Sequence, residues 1–361
     1  MLTGNKGEWS EIYVLLRLLA DGKLYAANDD LQKLESIYFP IVKIIREEIR
    51  GRIIEYKTND SIKIYRNGDE CEAVPVCIFD KEADYLLTQL KAGSAQRTFP
   101  IYQTESFMEK IHCFKLSAPS QNKTDITIQV IDINTNYSPV LGFSIKSELG
   151  AKPTLLNAGK TTNFIYKITH DYADLAGEAN MIWRISGEER HADVRGRIQK
   201  IVEEKGEISY FNMENGTFKN NLELLDSCMD KIIAETLLYF YRDGICNCDE
   251  LVKMLEQRDP MKFGNTYAYA YKFKKFLTSI ALGMKPATLW DGRDEASGGY
   301  IIVTRDGDVL AYHIYNRNFF EDYLLKNTKY DTASTSRHGF GEVYTEKDNT
   351  LMKLNLQIRF R

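Results

Sequence analysis

The sequence lacks any run of apolar residues approaching the 18 or more that a membrane span requires, so no membrane partner is expected. Its start, MLTGNKGEWSEIYVLLRLLADGK, has charged residues breaking the apolar positions and does not read as a signal peptide, which predicts a cytoplasmic protein. Cysteine is scarce: there are six, and only Cys246 and Cys248 stand close together. That pair lacks both the C-x₂-C spacing and the partner histidines of a zinc site, so the thiols read as structural or incidental, and reduced. No Walker loop is present, which excludes an ATP-driven motor and leaves no sign of a nucleotide cofactor. Repeats and low-complexity tracts are missing as well. Nor is there an excess of positive charge, since 47 Lys and Arg face 51 Asp and Glu for a net −4. Phosphate contacts supply nearly all non-specific affinity for nucleic acid, so any such contact here must come from a local basic surface.

What is present is an ordinary globular composition, 43% hydrophobic and 27% charged over 361 residues. That length suits two domains or one elaborated one. Trp9, Ile12, Leu15, Leu16 and Leu19 recur at helical spacing, and Gly22 ends that helix. A second helix is expected from Pro40 to Arg50, and a short one over Glu82–Leu90. Ile53–Tyr56 and Ile62–Tyr65 alternate around Thr58-Asn59-Asp60 and read as a hairpin. Helices are expected over Gly187–Lys205, Asn221–Arg242, Asp249–Gln257, Tyr267–Leu282 and Phe319–Leu325. Strands are expected over Tyr300–Thr304, Val309–Tyr315, Gly341–Tyr344 and Leu351–Phe360. A boundary falls near residues 185–205, without a linker to mark it.

The clearest hairpin joins Ile126–Ile133 to Pro139–Ser147 through Asn134-Thr135-Asn136-Tyr137. Asp125, Thr127 and Gln129 share one face of the first strand, and Ser144 and Lys146 share one face of the second. A two-residue turn at Thr135-Asn136 sets Asp125 across from Lys146 and Thr127 across from Ser144, with opposed Cβ atoms about 4.5–5.5 Å apart. A bulge at Pro139 would shift that register by one. A carboxylate beside an ammonium suits phosphodiester hydrolysis: the first offers hard oxygen to Mg²⁺, and the second orients or deprotonates water or steadies the pentacovalent phosphorus. Spacing alone is equally the mark of a surface hairpin with a weak cross-strand salt bridge.

Asp125…Ser144-Ile145-Lys146 resembles the PD-(D/E)xK nuclease motif, with Thr124 at the proline position and Ser144 at the second acidic position. The serine removes a metal-ligand carboxylate. Glu11, on the first helix, is the candidate replacement, because such nucleases often bring a glutamate from that helix; a solvated helix face is the alternative. Gln129 is a weaker candidate for holding a water, and Glu148 follows Lys146 by two. Beyond the motif, the chain resembles the HpaII restriction endonuclease family. The resemblance runs through Gly7-Glu-Trp-Ser-Glu11, Gly142-Phe-Ser-Ile-Lys-Ser-Glu-Leu-Gly150, Thr154-Leu-Leu-Asn-Ala158 and Thr162-Asn-Phe164. It resumes in Gly298-Gly-Tyr300, Tyr312-His-Ile-Tyr-Asn316, Ser334-Thr-Ser-Arg-His338 and Leu354-Asn-Leu-Gln-Ile-Arg-Phe360, and is weakest between about 170 and 290. It implies recognition of CCGG in double-stranded DNA and Mg²⁺-dependent hydrolysis leaving 5′-phosphates.

Small polar residues after Lys146, including Asn157, Thr162 and Asn163, suit phosphate and groove contacts, and equally suit a surface loop with Asx and Ser/Thr turns. The segment Asp331–Gly341 carries Ser334, Ser336, Arg337 and His338. Arginine forks read guanine O6 and N7, and a CCGG reader meets two G·C pairs per half-site; an arginine paired with a nearby acid is the alternative. Tyr267–Phe276 interleaves aromatics with lysines, though its spacing also fits an amphipathic helix with a basic face. A DNA methyltransferase sharing the target would need a glycine-rich methyl-donor loop and a Pro-Cys or Pro-Pro-Tyr motif, and the sequence has neither. A PD-(D/E)xK repair nuclease, or a catalytically inactive DNA-binding protein, are the alternatives to a restriction enzyme.

The expected fold is α/β: a restriction-endonuclease-like core, with a central mixed sheet flanked by helices, over residues 1–190. Residues 191–361 would add a helical and β elaboration that contributes to DNA recognition. A palindromic target suits a homodimer, and a monomer nicking strand by strand suits it too.

Overall fold

A computed structural model describes the chain except residues 50, 94–96, 118–123, 134, 172–173, 187–188 and 314–316. The expected turn residue Asn134 and the motif residues 314–316 lie outside the described residues. The chain divides into two compact units, one of Met1–Pro153 with Asp294–Tyr323 and one of Thr154–Arg293 with Leu324–Arg361. This division differs from the expected split at residue 190, because a segment near the C-terminus adds strands to the N-terminal sheet.

In chain order the first unit holds α1 (Lys6–Asp21), β1 (Lys23–Ala27), β2 (Lys33–Ile49), β3 (Arg52–Thr58), β4 (Ser61–Arg66) and β5 (Asp69–Pro75). It continues through α2 (Val76–Ala92), α3 (Tyr102–Lys110), β6 (Ile126–Val130) and β7 (Val140–Ser147). The chain then builds β8 (Thr154–Leu156), β9 (Asn163–Thr169), α4 (Leu175–Asn180), β10 (Trp183–Ser186), β11 (Glu189–Ala192), α5 (Val194–Glu203) and β12 (Glu207–Met213). Helices α6 (Gly216–Leu225), α7 (Met229–Asp243), α8 (Cys248–Arg258) and α9 (Tyr267–Leu282) follow. Next come β13 (Gly299–Val303), β14 (Val309–His313) and α10 (Arg317–Asn327). The last elements are β15 (Thr328–Tyr330), α11 (Thr335–His338), β16 (Val343–Glu346), β17 (Asn349–Asn355) and β18 (Ile358–Phe360).

The first unit is a mixed sheet in the order β1-β14-β13-β7-β6-β2-β3-β4-β5. The pairs β7–β13 and β1–β14 are parallel and the remainder antiparallel. Strand β2 also pairs with β1, so six strands close into a ring and β3, β4 and β5 extend from it. The expected central mixed sheet is present and is closed on itself. Helix α1 starts on a capping box, in which the Asn5 side chain accepts from Glu8 N–H and the Glu8 carboxylate accepts from Asn5 N–H. It ends on Gly22 in the left-handed region. Its Trp9, Ile12, Tyr13, Leu16 and Leu19 are buried in the core of this unit.

The helix expected over Pro40–Arg50 is instead the second half of the 17-residue strand β2. Ile41, Val42, Ile44 and Ile45 lose side-chain freedom in a helix and fit a pleated sheet. Ile44 is fully buried, between Tyr56 of β3 and Ile128 of β6.

The second unit contains a four-stranded sheet in the order β12-β9-β17-β16, a three-stranded sheet β15-β18-β8 and the β10–β11 hairpin. The helix expected over Gly187–Lys205 begins only at Val194, where Asp193 Oδ1 accepts from Gly196 N–H, and 187–188 lie outside the described residues. The helix expected over Asn221–Arg242 is two, interrupted where Asp226 turns extended and its carboxylate accepts from Cys228 N–H. No helix among the described residues is long and apolar enough to cross a membrane.

Candidate active site and candidate DNA-contacting turn

The hairpin that carries the candidate chemistry exists as β6 and β7, but two residues out of the expected register. Thr127 faces Gly142 and Gln129 faces Val140, so Asp125, just ahead of β6, comes opposite Ser144 and not Lys146. The connection is wider than two residues. Asp132 O accepts from Asn136 N–H, and Val130 N–H reaches the carbonyl of Pro139, which has no N–H to return. Ser138 Oγ donates to Val130 O in its place. A shift of two keeps every side chain on its expected face.

The result is a hydrogen-bonded chain. Lys146 Nζ donates to Ser144 Oγ at 3.2 Å, and Ser144 Oγ donates to Asp125 Oδ2 at 3.0 Å. Ile145 N–H also donates to Asp125 Oδ2, at 2.6 Å. Ser144 is 2% exposed, so its hydroxyl has to be bonded, and it joins the lysine to the aspartate. Gly142 makes this approach possible: a Cβ there would stand 2.7 Å from Thr124 Cγ2. Gly298 N–H donates to Gly142 O at 2.7 Å and leads into β13, which pairs Tyr300 with Ser144. The Tyr300 ring centroid is 5.5 Å from Lys146 Nζ. Burial, and then the Asp125 charge, push the Tyr300 phenol well above its ordinary range, so it stays neutral.

Asp125, Lys146 and Glu11 line one pocket of about 680 Å³, together with Lys6, Arg97 and Ile145. Glu11 arrives from α1, which is tied to β7 where Ser10 Oγ lies 2.8 Å from Ser147 Oγ. Two expected members are elsewhere. Gln129 sits toward the turn end of the hairpin, with its Nε2 donating to Ser138 O and Oγ. Glu148 is exposed beyond β7, outside the pocket lining. Lys6 and Arg97 were not among the candidates, although Lys6 immediately precedes the matched segment Gly7–Glu11.

Two carboxylates in a pocket suit Mg²⁺, which binds through one or two carboxylates and keeps water or phosphate for its other positions. They do not suit a metal caged wholly by protein. Among the described residues no group of three or more His, Cys, Asp or Glu is placed to hold an ion.

In the second unit, the expected loop around Arg337 is a single helical turn, α11. Ser334 caps it by accepting from Arg337 N–H, and Gly339 ends it in the left-handed region. Ser334, Ser336 and Arg337 are exposed and His338 is half-buried. Burial, then the Arg337 charge, lower the His338 pKa, which favours the neutral ring. A pocket of about 410 Å³ adjoins the turn, lined by Thr335, Ser336 and Gly339 with Trp183, His191 and Glu342. Asn157 is exposed.

Thr162 and Asn163 are fully buried. Thr162 Oγ1 donates to Gly159 O, and Asn355 Nδ2 donates to Asn163 Oδ1 at 2.6 Å. Asn163 Nδ2 donates to His338 O and to Glu214, so this residue anchors the turn from beneath. Tyr267 and Tyr271 of α9 are exposed, and Phe273 and Phe276 are buried, as an amphipathic helix requires.

The family model of the HpaII restriction endonuclease matches residues 5–360, and the chain belongs to that family. It is thus a type II restriction endonuclease, a hydrolase that cuts DNA at specific sites within a restriction-modification system; this class generally uses divalent metal ions. It is 40% identical to the type II restriction enzyme HpaII of Haemophilus parainfluenzae, over 99% of this chain and 98% of that protein. Family membership answers the repair-nuclease and inactive-protein alternatives. No solved structure matches the chain.

Proposed function

We propose that the enzyme cleaves double-stranded DNA at CCGG in the cytoplasm, using Mg²⁺ at the pocket of Asp125 and Glu11 and leaving 5′-phosphates. The observation that carries the site is the bonded series Lys146–Ser144–Asp125 at the wall of a pocket that Glu11 also lines. The first unit is then a restriction-endonuclease-like catalytic core, and the second supplies sequence recognition.

Asp125 and Glu11 hold the cation. When bound, it offsets charge on a phosphoryl oxygen and makes water a stronger nucleophile. Oδ2 of Asp125 is committed to Ser144 and Ile145, which orients the carboxylate within the pocket. Lys146 sits beside the same oxygen network and stabilises negative charge as the phosphorus is attacked in line. Ser144 stands where the motif has an acid, and here it orders the aspartate and lysine instead of binding metal.

Arg337, Ser334, Ser336 and His338 are the proposed base and phosphate contacts, with Asn157 a further exposed contact. Asn163 supports that turn from the interior, and Thr162 is tied to Gly159 and Asn355. The partner is duplex DNA, engaged by a homodimer on the palindrome or by a monomer acting on each strand in turn. The test is to incubate the protein with phage DNA and Mg²⁺ and sequence the fragment ends. Ends at CCGG carrying 5′-phosphates are expected; cuts at another site would overturn the specificity, and cutting that persists in EDTA would overturn the chemistry.

A further inference from the structure

Lys6 opens α1 and lines the pocket of Asp125, Glu11 and Lys146, yet only 7% of it is exposed. Its backbone carbonyl accepts from Ser10 Oγ at 2.6 Å. Among the described residues, its ammonium has no ion-pair or hydrogen-bond partner. Sheltered lysines elsewhere in this unit are paired: Lys43 donates to Glu55 at 2.5 Å. Space for the Lys6 stem is kept by Gly150, where a Cβ would stand 3.2 Å from Lys6 Cβ. The stem is packed away while the ammonium stays accessible from the pocket, where an entering anion can meet it.

The lining holds three cations, Lys6, Lys146 and Arg97, against two carboxylates, Asp125 and Glu11. Lys146 is engaged with Ser144, and Arg97 is exposed at the rim. The amino-terminal turn of α1 is closed to an anion by its own capping box, so the side chain of Lys6, and not the helix terminus, carries the charge. We infer that Lys6 binds a phosphate of the DNA backbone in this pocket, as a contact separate from Lys146. The inference rests on the pocket being the nuclease site. A compact ammonium suits a phosphate oxygen as a point charge.

Lys6→Met keeps the apolar stem and removes the charge. Affinity for a CCGG duplex in Ca²⁺ is measured across a salt series for wild type, Lys6→Met and Lys6→Arg. The log–log slope should fall by about one unit in Lys6→Met and be retained in Lys6→Arg. Duplexes in which one phosphate at or beside the cut is a neutral methylphosphonate then locate the contact. At the contacted phosphate, Lys6→Met and the methylphosphonate should each weaken binding, and together no more than either alone. An unchanged slope with additive losses at every phosphate overturns the inference and makes Lys6 an internal counter-charge to Glu11 and Asp125. If Lys6→Met does not fold, Lys6→Gln carries the same two measurements. Asp125→Ala separates the two levels. If it cuts at the wild-type rate, the reading of the pocket has failed; if it is inactive while Lys6→Met equals wild type, only the Lys6 assignment has.

Discussion

Ser144 changes meaning between sequence and structure. As a letter in the motif it is a lost ligand; in the fold it accepts from Lys146 and donates to Asp125. Asp125→Ala and Lys146→Ala should each slow cleavage by about 10² or more while leaving folding and Ca²⁺-supported binding intact, as single-turnover rates and circular dichroism would show. Ser144→Ala should be milder. The hydroxyl bonds two charged groups, and such a bond is worth about 1.5–3 kcal/mol, but Ile145 N–H still holds Asp125, so the loss should stay below that of Asp125→Ala. A loss equal to that of Asp125→Ala would instead give Ser144 a direct role. Glu11→Gln should raise the Mg²⁺ concentration at half-maximal rate, and unchanged metal dependence would return Glu11 to a structural part of α1. At Arg337, exposed on its turn, replacement by Ala should cost about 1–3 kcal/mol on a CCGG duplex and much less on a scrambled one. Equal losses would reassign it to the phosphate backbone.

Among the elements, strong local signals survived and ambiguous ones were decided by neighbours. Helix α1 carries its apolar stripe, its cap and its terminal glycine in its own residues. The stretch IVKIIREEI reads as a helix at spacings of three and four, yet it is a strand because β3 and β6 supply backbone partners on both sides. The turn at Thr335–His338 is a similar case: its cap and glycine are local, but its footing is Asn163, 175 positions away from the His338 carbonyl it binds. Asn163→Ala would take the donor from that carbonyl, costing about 1–3 kcal/mol, while Asn355 Nδ2 keeps Gly159 O and Thr162 Oγ1 and Glu214 keeps Lys353. A lowered midpoint in urea together with reduced CCGG preference is the expected outcome; a preference unchanged would detach Asn163 from the turn's function. The thiols offer a separate check on packing. Burial pushes Cys113 and Cys248 up to about 12, whereas Cys77 is exposed. Iodoacetamide at neutral pH should therefore label Cys77 in the native protein, and Cys113 and Cys248 only after unfolding, as read by mass spectrometry.

At the scale of the whole molecule, the net charge of −4 means that attraction to DNA must be local. Each phosphate contact contributes a slope of about −0.9 to the salt dependence, so a slope steeper than roughly −3 is expected in Ca²⁺, measurable by fluorescence anisotropy. A flat dependence would leave the enzyme without the backbone contacts that its reading requires. The amino-acid order by itself singled out the candidate site residues, because Asp125, Ser144, Lys146 and Glu11 lie in short segments whose alternation and spacing are local properties. It also determined which faces they share, since a register slip of two preserves the strand's alternation. It could not determine the partners. That Asp125 meets Ser144, that β13 from residue 299 onward joins β7, that β2 closes the ring against β1, and that Lys6 is sheltered beside Glu11 all depend on contacts between distant segments. Strand pairing and burial are energies of juxtaposition, and only the tertiary structure decides which surfaces are juxtaposed.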